Sequence, residues 1–335
     1  MTQNTEKNHY DKIGVIGAGA WGTALALTAA RAGRTVTLWA REPDVVAEMR
    51  NGENHRFLPG IALPDNILPT GEITEAVQAD ALLLVCPAQH LRTTLQSIIA
   101  TAPAGIPLVL CAKGIEQGSG KLLTEILTET APGFIPAVLS GPSFAADSAR
   151  DKPTAVTIAA TMPVAEALQA SISHAAFRPY ASDDIIGVAL GGAAKNVYAI
   201  ASGIVDGMKL GDSARAALIA RSFAELRRLG DALGARPETL MGLSGLGDLV
   251  LTATSVQSRN YSFGIGIGQG KRPEYLCAPG TPLAEGAATA PALLVRAKSE
   301  GIELPVAETV AHLIDGTLPL SEAVMRLMSR PLKSE

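Results

Sequence analysis

Residues 12–27 constrain this chain more than any other stretch. Ile13-Gly14-Val15-Ile16 is a short apolar run, Gly17-Ala18-Gly19-Ala20-Trp21-Gly22 is glycine-rich, and Thr23-Ala24-Leu25-Ala26-Leu27 is apolar and alanine-rich. That order reads as strand, tight turn and helix. A bare G-x-G-x-x-G spacing is weak, but between a strand and a helix each glycine has a task. Gly17 permits the turn, Gly19 lets a pyrophosphate approach the backbone, and Gly22 lets the helix pack closely on its strand. The amides at the start of the helix then face the phosphates. The helix is expected to end near Gly33 and to lead into a second strand over 35–40. The reading is a dinucleotide-binding domain.

The residue that reads the adenosine ribose should stand just beyond the second strand, where an arginine holds a 2′-phosphate and an acid selects a 2′-hydroxyl. The chain offers Arg41 and then Glu42. Arg41 comes first and favours NADPH; Glu42 keeps NADH open, and both also fit as surface charges at a helix entry. Further apolar runs at 81–86 and 108–112 extend a parallel sheet and end at Pro87 and Lys113, on the side where such sheets bind ligands. Lys113, between a buried strand and Gly114, favours a substrate or cofactor contact over an exposed loop charge. A strand at 137–140 leads into Gly141-Pro142-Ser143-Phe144-Ala145-Ala146, whose small residues leave room for a ligand. After a strand at 154–159 and a helix at about 164–173, strand signals fade.

From Asp183 the composition turns helical. Gly191-Gly192-Ala193-Ala194 leads to Lys195-Asn196-Val197-Tyr198, placing one lysine among small and apolar residues, where a substrate can approach closely. Lys195 is read as the proton donor in a carbonyl reduction, with burial lowering its pKa toward the working pH. The clearest helix spans 213–229, with Asp212 or Ser213 as N-cap, Gly230 as terminator, and Ile219, Phe223 and Leu226 as its apolar stripe. Arg227 and Arg228 read as a solvated face. Asp248, flanked by leucines after Gly245 and Gly247, either caps the helix beginning at Leu249 or hydrogen-bonds a catalytic lysine or a substrate hydroxyl; the roles are compatible. Ser258-Arg259-Asn260 places a fork of donors between two neutral polar groups, which suits phosphate oxygens. An alanine-rich helix through about Lys298 and closing helices after Pro305 complete the chain.

With 335 residues, two domains are expected, 1–190 for the dinucleotide and 191–335 for substrate and catalysis. A net charge of -4 supplies no basic field for nucleic acid. Cys86, Cys111 and Cys277 are odd in number and far apart, which argues against a disulfide framework and for a reducing compartment. The residues through about Tyr10 are polar, without a signal-peptide run, and no uncharged apolar segment is long enough to span a membrane, so the expected location is cytoplasmic. Five scattered histidines make no metal-ligand cluster, and no metal is expected.

On these residues the chain resembles bacterial NAD(P)-dependent glycerol-3-phosphate dehydrogenases over nearly its whole length. The carriers are GAGAWGTALA at the first turn, LPGIALPDNI at 58–67, CAKGIE at 111–116, SGPSFA from Ser140, GGAAKNVYAIASGIVDG from Gly191, GLSGLGDLVLT from Gly242 and SRN from Ser258. The resemblance implies an α/β fold, a Rossmann-type dinucleotide-binding domain followed by an all-α C-terminal domain. It implies reduction of dihydroxyacetone phosphate to sn-glycerol 3-phosphate for phospholipid synthesis, using NADP(H) or NAD(H), with Lys195 as the catalytic acid/base. Substrate contacts fall on Lys113, Gly141, Ser143, Lys195, Asp248, Ser258, Arg259 and Asn260. Cofactor contacts fall on Gly17, Gly19, Ala20, Trp21, Gly22, Arg41, Lys113, Ala145, Arg259, Leu283 and Glu285. Ala20 and Trp21 stand where relatives more often carry Ser and Tyr or Phe. The expected protein partner is a second copy in a homodimer. Rival readings are a 3-hydroxyacid dehydrogenase of the same broad architecture and a cofactor-sensing regulator; Arg259 and Asn260 speak against the first and Lys195 against the second.

Overall fold

The computed structural model describes residues 8–278, 281 and 283–328; the first seven residues of the polar N-terminal stretch and Pro282 lie outside the described residues. Two compact units divide the chain, Met1–Ala112 with Leu123–Ala189, and Lys113–Leu122 with Leu190–Glu335.

The first unit is built on an eight-stranded sheet: β1 Lys12–Ile16, β2 Thr35–Trp39, β3 Ile67–Thr70, β4 Ala81–Leu84, β5 Pro107–Leu110, β6 Ile135–Ser140, β7 Thr154–Ala159 and β8 Phe177–Ser182. Their order is β3-β2-β1-β4-β5-β6-β7-β8. All of β4 and β5 is buried, which is why both read as unbroken apolar runs: helices cover the sheet on both faces. The order reverses between β1 and β4, and the carboxyl end of β1 at that reversal is where such sheets bind ligands.

Three features depart from the sequence expectation. β7 runs antiparallel to β6, so the sheet is mainly rather than wholly parallel. β3 and β8 are the edge strands, and neither shows a clear strand pattern. β3 has four residues, one of them Pro69, and β8 alternates buried Phe177 with exposed Arg178 and Tyr180. Edge strands tolerate proline and polar faces because one side of the ladder goes unpaired.

The glycine turn follows β1. Gly17 adopts φ 116°, and its N–H donates to the Trp39 carbonyl at 3.2 Å. The helix Ala20–Arg31 begins directly over it, because a Cβ on Gly22 would lie 1.8 Å from the Gly17 carbonyl oxygen. Gly19 faces open space, with no atom within 4 Å of where its Cβ would be.

The second unit is helical around Ile185–Gly207, which enters it at Leu190. Among the described residues this helix alone is long and apolar enough to cross a membrane, with 83% of that window buried inside the protein. It is a core helix, and it meets Arg259–Gly268 backbone to backbone. A Cβ on Gly203 would lie 2.1 Å from the Tyr261 carbonyl oxygen, and one on Gly264 equally close to that of Ile200.

The predicted helix at 213–229 is Asp212–Leu233, preceded by Gly211 and ended by Gly234 in the left-handed region. Gly230 therefore does not terminate it. The Leu240 side chain packs 2.3 Å from where its Cβ would be, so this glycine serves packing. Leu226 is fully buried, Ile219 and Phe223 pack against the same core, and Arg227 and Arg228 are exposed. Buried Glu225 accepts the amides of Val306 and Ala307, at 2.7 and 3.3 Å, and so caps Pro305–Ile314 from a distance.

The two turn glycines separate packing from ligand access. Gly22→Ala is expected to lower the melting temperature by roughly 2–6 °C through overpacking. Gly19→Ala leaves melting nearly unchanged but weakens dinucleotide binding about tenfold or more by filling the approach to the turn. Calorimetry and dinucleotide titration of both variants check this.

Candidate active site

Lys195, Lys113 and Asp248 converge in the second unit. Asp248 is wholly inaccessible, and Lys195 is 6% exposed. One carboxylate serves both lysines: Lys195 Nζ donates to Asp248 Oδ1 at 2.5 Å, and Lys113 Nζ donates to Oδ2 at 2.6 Å. Thr252 joins them, accepting from Lys195 Nζ at 2.8 Å and donating to Asp248 Oδ1 at 3.3 Å.

Local backbone chemistry explains the placement. The turn Leu243–Gly247 is a wide π turn, with the Gly247 N–H reaching the Gly242 carbonyl at 3.0 Å. Gly191 lets it settle on the lysine helix, since a Cβ there would meet the Ser244 carbonyl oxygen at 2.5 Å. Asp248–Ala253 continues from this turn without a side-chain cap, so the carboxylate is committed to the lysines rather than to its own helix. Thr252 stands four residues on, over the same face. Lys113 begins the short hairpin 113–122, closed by the Ile115–Leu122 bridge, and both of those side chains bury in the helical core. The lysine thereby belongs to the second unit although it comes soon after β5 of the first.

Burial pushes the Lys195 ammonium down to about 7, and neighbouring Lys113 adds to the fall while Asp248 opposes it. An ammonium has three N–H groups. Two are engaged by Asp248 and Thr252, and the third has no acceptor among the described residues. Two lysines against one carboxylate also suit an anionic ligand.

Ser258 caps the helix Arg259–Gly268, its Oγ accepting the Tyr261 amide at 3.2 Å. Asn260 is buried and its Oδ1 accepts the Gly286 amide at 2.8 Å. Gly286 in turn abuts the Asn196 carbonyl, which brings Asn260 close to the backbone of the residue that follows Lys195. Arg259 is exposed. Glu285 opens the helix Glu285–Ser299, and Leu283, two residues before it, is 52% exposed.

In the first unit, the start of Ala20–Arg31 has no side-chain cap, and the Trp21 Nε1 is buried without a partner. These donors and the open space at Gly19 fit a dinucleotide pyrophosphate. Arg41 is 81% exposed at its side chain and pairs with Glu42 at 3.0 Å, which leaves most of the guanidinium presented to solvent. Gly141 takes φ 150° with the Val156 Cα only 2.7 Å from where a Cβ would sit, and Ser143 Oγ donates back to the Gly141 carbonyl at 3.0 Å. Ala20, Trp21 and Ala145 pack against one core.

Sequence reasoning missed two residues. Thr252 looks like an ordinary position in an apolar helix; its spacing of four from Asp248 was the available signal. Asn54 is fully buried and donates to the Ala18 carbonyl and Thr23 Oγ1, both at 2.8 Å, pinning the glycine turn. Nothing near it in the sequence points there. Among the described residues no group of three His, Cys, Asp or Glu could hold a metal ion.

Comparison with known proteins identifies the family. Residues 12–165 match the family model for the NAD-dependent glycerol-3-phosphate dehydrogenase N-terminus, and residues 184–325 match that for the C-terminus. A glycerol-3-phosphate dehydrogenase [NAD(P)+] of Parvibaculum lavamentivorans is 56% identical, with 97% of this chain and 98% of the relative covered. One from Rhodopseudomonas palustris is 53% identical, covering 97% and 99%. The crystal structure of glycerol-3-phosphate dehydrogenase from Coxiella burnetii superposes with TM-score 0.91 at 36% identity, covering 96% of this chain and 100% of that one. Matched along both halves and at this identity, the chain belongs to the NAD-dependent glycerol-3-phosphate dehydrogenase family, and it is an oxidoreductase.

Proposed function

We propose that this chain reduces dihydroxyacetone phosphate reversibly to sn-glycerol 3-phosphate with NADPH or NADH, Lys195 serving as general acid and base. The observation that carries the reading is the Lys195 ammonium, held by Asp248 and Thr252, with one N–H uncommitted and a pKa near 7. The nicotinamide, when bound, supplies a hydride to the carbonyl carbon. Lys195 gives its proton to the carbonyl oxygen, so the C=O double bond becomes a C–H and an O–H bond, and neutral lysine regains a proton from solvent. In the oxidation direction the neutral amine takes the alcohol proton.

Asp248 fixes the lysine's direction, and Lys113 adds positive charge that favours an anionic substrate. Ser258, Arg259 and Asn260, at a helix N-terminus, are assigned to the substrate phosphate, with Gly141 and Ser143 as further substrate contacts. Gly17, Gly19, Ala20, Trp21 and Gly22 are assigned to the pyrophosphate, and Arg41, Lys113, Ala145, Arg259, Leu283 and Glu285 to the rest of the cofactor. The division into 1–190 for the dinucleotide and 191–335 for substrate and catalysis is one of main role: Lys113, Gly141 and Ser143 are substrate contacts from the first range, and Arg259, Leu283 and Glu285 are cofactor contacts from the second. The exposed guanidinium of Arg41 favours NADPH. The enzyme is assigned to the cytoplasm, without a metal, as a homodimer supplying phospholipid synthesis; exposed Met241, Val250 and Val256 are available to a second copy.

Lys195→Met is expected to lower kcat about 10³-fold, and Asp248→Asn about 10²-fold with a smaller change in KM, measured as loss of nicotinamide absorbance with dihydroxyacetone phosphate. Near-normal turnover in Lys195→Met contradicts the assignment. Arg41→Ala is expected to raise KM for NADPH about tenfold and leave that for NADH within about twofold, because only the phosphate contact is lost. Equal effects on both cofactors contradict the ribose assignment.

A further inference from the structure

The segment 141–149 carries three assigned ligand contacts on little structure of its own. Its helix, Ala145–Ala149, has five residues, too short to persist unaided, and its last carbonyls depend on partners beyond it; that of Ser148 accepts the Asp151 amide at 3.1 Å. One end of the segment is fixed by Gly141 against the Val156 backbone. Arg31 fixes the other. Its Nη1 donates to the Ser148 carbonyl at 3.0 Å and its Nη2 to the Ala149 carbonyl at 2.6 Å.

The same guanidinium lies 3.7 Å from Asp151, which follows the helix at φ 60°, a left-handed conformation that a non-glycine residue takes only when held. A cation at the carboxyl end of a helix is also favoured by the helix dipole. Lysine cannot reproduce this arrangement, since the two carbonyls are met by two nitrogens of one planar fork.

Arg31 is the last residue of the helix Ala20–Arg31, whose first residues form the glycine turn. One rigid helix of twelve residues therefore carries the nucleotide turn at its start and the clamp on 141–149 at its end. We infer that Arg31 is a positioning residue for the reaction: through the Ser148 and Ala149 carbonyls it holds Ser143 and Ala145 in register with the nucleotide-binding turn. The inference rests on the assignment of Ser143 and Ala145 as ligand contacts. Arg31 touches no reacting atom, so it acts on ligand affinity.

The test is steady-state kinetics and melting of Arg31→Met and Arg31→Lys, beside Ile172→Val, a core change in the same unit that lowers stability without touching the clamp. Arg31→Met is expected to raise KM for the nicotinamide cofactor about fivefold or more with kcat within about twofold, from loss of two charge-assisted hydrogen bonds. Arg31→Lys should recover only part of that. An unchanged KM in Arg31→Met, a loss confined to kcat, full recovery by lysine, or the same KM rise in Ile172→Val each overturns the inference. Ser143→Ala and Ala145→Leu measured alongside separate its failure from that of the site: if these leave both KM values unchanged, the ligand assignment falls; if they raise KM while Arg31→Met does not, only the role of Arg31 falls.

Discussion

The contact between Lys195 and Asp248 is the interaction on which the rest of the second unit depends. A buried ammonium is strongly disfavoured unless it is paired and hydrogen-bonded, and a buried carboxylate equally so. Asp248 is wholly inaccessible and Lys195 nearly so, and removing the carboxylate leaves two buried or half-buried ammonium groups without a counter-charge. Two lysines share the carboxylate, so neither is fully neutralised. Burial lowers the Lys195 ammonium, Asp248 opposes the fall and Lys113 adds to it, and the balance leaves it at about 7, where it can give a proton and take it back. A lysine fully satisfied by its own acid would be a poor donor, and an unpaired one would stay neutral.

Small residues make this geometry possible. Gly191 admits the π turn that delivers Asp248, Gly203 and Gly264 bring the Arg259–Gly268 helix against the lysine helix, and Gly286 brings Asn260 beside Asn196. The backbones approach too closely for side chains. The helices that carry Asn260, Thr252 and Asp248 are thus close-packed against the lysine helix, with little room to shift. In the first unit a similar economy holds: the Gly22 contact fixes the nucleotide turn, and buried Asn54 locks it from beneath.

What was legible in the sequence followed from local rules. The turn at 17–22 was readable because each glycine answers a backbone requirement within six residues, and the buried strands β4 and β5 because both of their faces are apolar. Lys195 stood out as a charge within an apolar helix. Its relation to Asp248 stayed one of two readings, since 53 residues separate them and only the packed helices decide it. The edge strands β3 and β8 escaped because half-exposed strands lack an apolar run, and Gly230 misled because packing glycines and terminating glycines look alike. The placement of Lys113 with the helical unit depends on Ile115 and Leu122 burying far from their sequence neighbours.

The pH dependence of kcat for reduction, compared between the parent enzyme and Asp248→Asn, tests the central claim most directly. Reduction needs the protonated lysine, so kcat should fall as pH rises, with its midpoint near 7. Asp248 raises that value against the effects of burial and Lys113, so its replacement should move the midpoint to lower pH. A flat profile between about pH 5.5 and 9, or a midpoint that stays put or moves upward in Asp248→Asn, contradicts the account.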